Sequence, residues 1–306
     1  MIRAFFIELL AGLFCCASAQ PGLPPARALA PFLSLWKANA TITSPTGHLI
    51  IGEQYVSAFQ TSMVLLHTDS SGTLRWTRTY NHLLSRGAGY SLTTNKHHTL
   101  VGGTLEGRAK IWEINPRQGD LVKVIDLGKG LVRSMSFVDK NRLCVAIEED
   151  TILEIRCLNL SGKMHWNKRF HKSSTSKSSL LTTDSKLVLL AFDGTSVAFD
   201  SLGKTLWQND LNQVRWHGLY QRSNGAVLLF GRRYVDLFGD ESEDAFIVSM
   251  QAESGQNEWF RHFGNRRNLD EACQLIERPN EQILFVSKQN QQLRLIELSA
   301  RNSIGR

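Results

Sequence analysis

A six-residue phrase recurs down this chain and restricts its fold more than any other feature. It reads Ser71-Gly72-Thr73-Leu74-Arg75-Trp76, Ser161-Gly162-Lys163-Met164-His165-Trp166, Leu202-Gly203-Lys204-Thr205-Leu206-Trp207 and Ser254-Gly255-Gln256-Asn257-Glu258-Trp259. A degraded fifth copy, Gln118-Gly119-Asp120-Leu121-Val122-Lys123, has Lys123 at the tryptophan position. The glycines stand at 72, 119, 162, 203 and 255, in steps of 47, 43, 41 and 52 residues. A turn followed by a strand, repeated every 40–50 residues or so, is the pattern of a β-propeller.

Each residue type has a mechanical role. The glycine admits the positive φ of a tight hairpin turn, and the strand after it runs out to the tryptophan. Tryptophan is a broad apolar plate that buries roughly 150–250 Å², so Trp76, Trp166, Trp207 and Trp259 are expected to bridge from an outer strand onto the next blade. Between the phrases lie short runs rich in β-branched, Leu and aromatic residues, bounded by Gly, Asn, Asp and Ser, which read as three further strands per unit. The fold class is therefore all-β, with four-stranded blades.

The last unit stops short. Its three strands are expected at 272–276, 282–287 and 293–298, with a turn at Arg301-Asn302-Ser303 and no room for an outer strand before Arg306. Phe32-Leu33-Ser34-Leu35-Trp36-Lys37 has the Leu-Trp of an outer strand without three strands before it. Residues 32–38 are thus expected to complete the last blade, removing its open edge and closing the ring. The count is about six blades, or seven if the long fifth unit hides another strand pair. The whole of 32–306 reads as one propeller domain, expected to be a monomer.

The start reads as a targeting segment, not as structure. Arg3 supplies the positive end, residues 4–16 an apolar stretch, and Ala17-Ser18-Ala19 a small-residue cleavage site before Gln20. The apolar stretch is short for a membrane span, so residues 1–19 are expected to be a signal peptide. Residues 20–31, with Pro21, Pro24, Pro25 and Pro31, form an extended tether. Export to the periplasm or the exterior follows, with no transmembrane segment in the mature chain. Cys144 and Cys157 would then lie in an oxidising compartment. If their hairpin turns on Asp150-Thr151 the two are directly opposed, which admits a disulfide.

The units resemble secreted bacterial β-propeller repeats related to the quinoprotein-like, WD40-like and SBBP-type propellers. The resemblance is carried by Trp259-Phe260-Arg261-His262-Phe263-Gly264, Asn268-Leu269-Asp270-Glu271-Ala272 and Ile283-Leu284-Phe285-Val286, and by Asp244-Ala245-Phe246-Ile247-Val248. It implies a fold without an assigned activity. Quinoprotein dehydrogenases of this resemblance carry adjacent cysteines at the cofactor and usually eight blades. The only adjacent pair here, Cys15-Cys16, lies in the leader. No cofactor, no metal and no catalytic residue is therefore assigned. G-x-S-x-G, H-E-x-x-H and phosphate-loop motifs are also missing.

Two charged stretches are candidate contact surfaces. With a net charge of +7, Lys163, Lys168, Arg169 and Lys172, together with Arg266 and Arg267, could meet an anionic envelope surface, although an outer strand's polar face is more simply a solvated rim. Asp236, Asp240, Glu241, Glu243 and Asp244 carry oxygen ligands that suit Ca²⁺, but their spacing departs from the EF-hand pattern, and a solvated acidic loop is expected. No aromatic–basic interleaving points to nucleic acid. The sequence reads as an exported, non-catalytic module that binds or scaffolds a protein or an envelope polysaccharide. The alternative is a hydrolase or lyase with its site in the central channel. Mass spectrometry of the exported protein should find an N-terminus at Gln20; a lipid on Cys16 would overturn the expected cleavage before Gln20.

Overall fold

A computed structural model describes residues 36–44, 47–57, 60–80, 86–173, 177–237, 240–263, 270–277, 283–289 and 292–298. The leader, the tether and residues 32–35 lie outside them. The described residues form six antiparallel sheets, five of four strands and one of three. Sheet one is β1 (Trp36–Ser44), β2 (Gly47–Ser57), β3 (Gln60–Thr68) and β4 (Leu74–Thr79), and sheet two is β5 (Gly87–Thr94), β6 (Thr99–Leu105), β7 (Arg108–Ile114) and β8 (Leu121–Lys129). Sheet three is β9 (Leu131–Phe137), β10 (Arg142–Glu149), β11 (Ile152–Asn159) and β12 (Met164–His171). Sheet four is β13 (Ser178–Thr182), β14 (Val188–Phe192), β15 (Thr195–Phe199) and β16 (Thr205–Asp210). Sheet five is β17 (Val214–Gln221), β18 (Val227–Leu237), β19 (Asp240–Met250) and β20 (Asn257–Phe263), and sheet six is β21 (Asp270–Glu277), β22 (Ile283–Gln289) and β23 (Gln292–Leu298). Each is a meander in chain order. The chain divides into two compact units, residues 1–165 and 166–306.

Within each unit the core lies between neighbouring sheets. In the first, Leu49, Ile51, Met63 and Leu65 of sheet one pack on Leu92, Val101 and Trp112 of sheet two. Leu100 and Ile111 on the other side of sheet two meet Val132, Leu143 and Val145 of sheet three. In the second unit Leu189, Ala191 and Ala198 pack on Trp216, Leu229 and Phe246, and Leu228, Phe230 and Ile247 pack on Leu275 and Ile283. The second and third strands are apolar on both faces, as burial from both sides demands. The outer strands are largely exposed: β12 and β16 expose every residue except two each, which are half-buried.

The repeated phrase forms the turn into each outer strand. Gly72, Gly119, Gly162, Gly203 and Gly255 all have φ between +69° and +89°. The residue opening the turn holds it: the Asp200 carboxylate accepts from the backbone N–H groups of Leu202 and Lys204, both at 2.9 Å, and Asn159 and Asp69 do the same for their own turns. The tryptophan of one sheet then lies against the turn glycine of the next. A Cβ on Gly203 would stand 2.7 Å from the Trp166 ring, and one on Gly255 2.6 Å from the Trp207 ring. The indole N–H groups of Trp166 and Trp207 donate to the carbonyls of Ser201 and Ala252, at 3.3 and 2.8 Å. In the degraded copy Lys123 extends its ammonium to the carbonyl of Leu160 at 2.8 Å. The lysine thus replaces the indole's hydrogen bond but not its plate.

Two expectations are corrected. Trp36, Lys37 and Ala38 pair with Gln54, Glu53 and Gly52 and so extend the inner strand of sheet one rather than completing sheet six. Among the described residues the long fifth unit holds no additional strand pair. Its extra residues lengthen the β18–β19 hairpin, paired continuously from Val227↔Met250 to Leu237↔Asp240.

Gly225 shares the φ of Gly203, +87° against +85°, but nothing lies within 4 Å of its Cβ position. Gly225→Ala should therefore cost about 1 kcal/mol from backbone strain alone. Gly203→Ala should cost about 2–4 kcal/mol, because crowding against Trp166 is added to the strain. Equal losses in urea denaturation would show that turn conformation alone fixes this glycine.

Candidate functional site

The inner strands carry a second repeat that the turns do not reveal. In sheets one, two, three, five and six the pairing of first and second strands slips by one residue, leaving Asn39, Tyr90, Arg133, His217 and Cys273 outside the register of the ladder as β-bulges. A bulge re-aims the side chain that it carries. Glycine stands opposite three of them. A Cβ on Gly103 would come 2.1 Å from the carbonyl oxygen of Ala88, and Gly52 and Gly231 are equally constrained by Lys37 and Arg215. The signal visible in the sequence is a glycine closing an apolar second strand, as in Ile51-Gly52, Gly102-Gly103 and Phe230-Gly231.

One of these bulged residues, Tyr90, lines a cleft in the first unit, and a second, Arg133, contacts two of the lining side chains. Strands alternate in direction, so the hairpins from second to third strand and the links from outer to next inner strand emerge at one end. The repeated glycine turns emerge at the other. At the first end opens a cleft of about 470 Å³, lined by Glu53, Tyr90, Thr104, Glu148 and the segments 86–88, 129–131 and 149–150. Arg133 lies with its guanidinium 4.7 Å from the centre of the Tyr90 ring. The same guanidinium donates to Glu148 at 3.0 Å. Glu148 is 5% exposed and Glu53, paired with Lys37 at 3.3 Å, is 8% exposed. Lys129 and Glu149 form an exposed pair at the rim, 2.6 Å apart. Burial of a carboxylate is tolerable only with such partners, and each buried acid here has one.

The candidates read from sequence fall elsewhere. Lys163, Lys168 and Arg169 are exposed on or beside β12, where they form a rim. Lys172 does not join them: it is 6% exposed, and its ammonium donates to the carbonyl of Ser173. Arg266 and Arg267 lie outside the described residues. The acidic stretch is not a loop but part of the β18–β19 hairpin, where Asp236 pairs with Glu241 in register. Glu243 is buried and bonded to Arg232. Among the described residues no group of three or more His, Cys, Asp or Glu could hold a metal ion. Trp259 is half-buried on sheet five, packed against that sheet's core.

Cys144 and Cys157 stand directly opposite each other, and their hairpin turns at Asp150-Thr151. Both thiols are free and buried. Burial pushes the Cys144 thiol up, while its hydrogen bond to Cys157 lowers the latter.

Burial raises the Tyr90 phenol above its ordinary value, followed by the Glu53 carboxylate, with Arg133 opposing. Removing that negative neighbour favours the phenolate. Glu53→Gln should therefore move Tyr90 ionisation to lower pH, read as the absorbance difference between each protein and its Tyr90→Phe version. An unmoved titration would mean that Glu53 does not face the ring.

Known proteins place this architecture. A solved structure of a protein of unknown function from Bacteroides caccae is similar at 14% identity and a TM-score of 0.51, covering 74% of this chain and 82% of that one. The β-propeller domain of Myceliophteria thermophila Cps50 (Swd1) is similar at 10% identity and a TM-score of 0.55, covering 86% of each chain. The C-terminal WD40 domain of Sif2 matches at 11% identity and a TM-score of 0.52, over 88% of this chain and 73% of that one. At these identities the likeness is one of fold, and the fold is a β-propeller. No curated protein sequence matches. Among the described residues no helix is long and apolar enough to cross a membrane. Residues 106–303 match the model of the family described as outer membrane protein assembly factor BamB, and the chain is a β-propeller repeat protein belonging to that family.

Proposed function

We propose that the protein is an exported, non-catalytic β-propeller module that binds or scaffolds a partner in the cell envelope, and that the cleft end of its first unit is the contact surface. The carrying observation is the state of the two buried carboxylates. Glu53 and Glu148 line one cleft, each committed to its own cation. A charge-matched, pre-organised polar mouth on a rigid sheet frame is suited to recognition. A hydrolytic pair of carboxylates instead divides the roles of acid and base between unlike environments, and here the two are treated alike. The tryptophans for which neighbouring turns are described are occupied in packing, so none of these supplies a ligand platform.

Export is supported by the leader-like start at residues 1–19 and by the opposition of Cys144 and Cys157, which an oxidising compartment would join. The family description, outer membrane assembly, favours an envelope partner. A photoreactive residue placed at Lys129, on the cleft rim, should cross-link to an envelope component. One at Arg117, exposed in the turn at the far end of β7, should not. Equal adducts at both positions, or none at Lys129, would sink this reading.

A further inference from the structure

We propose that the cleft of the first unit binds a neutral saccharide. The inference rests on the reading of that cleft as a contact surface and names the chemistry of what it holds. A volume of about 470 Å³ lies within the range of small-ligand sites, so the cleft suits one or two sugar rings rather than a polymer surface.

The charges decide the class. Glu53, Glu148, Glu149 and Asp150 line the cleft, and so do Arg86 and Lys129. Lys37 and Arg133, which are not part of the lining, pair with Glu53 and Glu148. Four acids thus meet four cations. A cationic ligand entering here would face Arg86 and Lys129, and an anionic one would face the four carboxylates. Neither would find a net field in its favour. A neutral ligand pays no such cost, provided that it can satisfy polar groups of both kinds.

Hydroxyl groups do so, since each both donates and accepts. The structure holds capacity for them. Among the described residues the Tyr90 hydroxyl has no hydrogen-bond partner, and Lys37 approaches Glu53 through a single oxygen, Oε1. Glu53 Oε2 is a charged acceptor for a ligand hydroxyl, and the phenol is a donor or acceptor beside it. Ala88 and Leu131 provide apolar floor among these groups, against which the C–H face of a sugar ring can rest. The Tyr90 bulge makes this possible: in regular pairing the phenol would point into the sheet packing instead of the mouth.

The test uses the full chain titrated with methyl glucoside, N-acetylglucosamine and maltose, alongside spermidine and citrate as charged probes, by ligand-observed NMR and calorimetry. At least one neutral sugar should bind with a Kd of about 1 mM or tighter. Tyr90→Phe, which keeps the ring under Arg133, should weaken it about fivefold, and Glu53→Gln about tenfold. Binding of the charged probes alone, binding unchanged in both variants, or no sugar binding would each overturn the proposal. If the Lys129 cross-link persists while the sugars fail, the contact surface stands and only its ligand class is wrong. If both fail, the functional reading falls with it.

Discussion

The contact on which the frame depends is the tryptophan of one outer strand pressed against the glycine turn of the next sheet. Trp166 on Gly203 and Trp207 on Gly255 leave no space for a Cβ, so the turn must be both glycine and left-handed. The indole N–H then binds a carbonyl of the same turn. One residue therefore supplies apolar area, shape and a directed hydrogen bond at each junction. Lys123 shows which part is dispensable. Where the plate is lost, the ammonium keeps the bond to Leu160, and Ile125 fills part of the space beside Gly162. Trp76 shows the converse: its ring packs on Gly119 while its indole nitrogen is buried without a partner, and the Tyr80 hydroxyl takes the Gly119 carbonyl instead.

With the outer strands fixed by these contacts, the inner strands are free to differ. In five of the six sheets a bulge puts one side chain out of the ladder, and in the first unit what stands there helps set the chemistry of the cleft. In the first unit Tyr90 and Arg133 stack on one another and draw Glu148 into the same network. The glycine opposite a bulge is the counterpart of the glycine in a turn. One is required by a positive φ, the other by a carbonyl oxygen 2.1 Å from where its Cβ would be.

Much of this was legible in the chain. Turn chemistry is local, so five glycines and their period locate the turns, and Asp150-Thr151 places the hairpin well enough to set Cys144 opposite Cys157. Features that depend on pairing partners were not legible. Lys172 reads as one more surface cation, yet it is buried because the chain leaves β12 there and its ammonium finds a backbone carbonyl. Trp36 mimics an outer strand because Leu-Trp is a composition and not a partner, and its actual partner is Gln54. The acidic stretch reads as a loop because charged residues are common in loops. A continuous ladder carries it as hairpin instead, with Glu243 neutralised by Arg232.

The sequence by itself determined the repeat, its period, the turns and the all-β class, because these follow from backbone preferences and side-chain alternation within a few residues. The tertiary structure alone decided the register slips, and with them which residues leave the ladder. It also decided that Glu53, Tyr90 and Glu148, spread over 95 positions and three sheets, line one cleft, with Arg133 bonded to Glu148 and set against the Tyr90 ring. A bulge is a mismatch between two strands, and neither strand carries it alone.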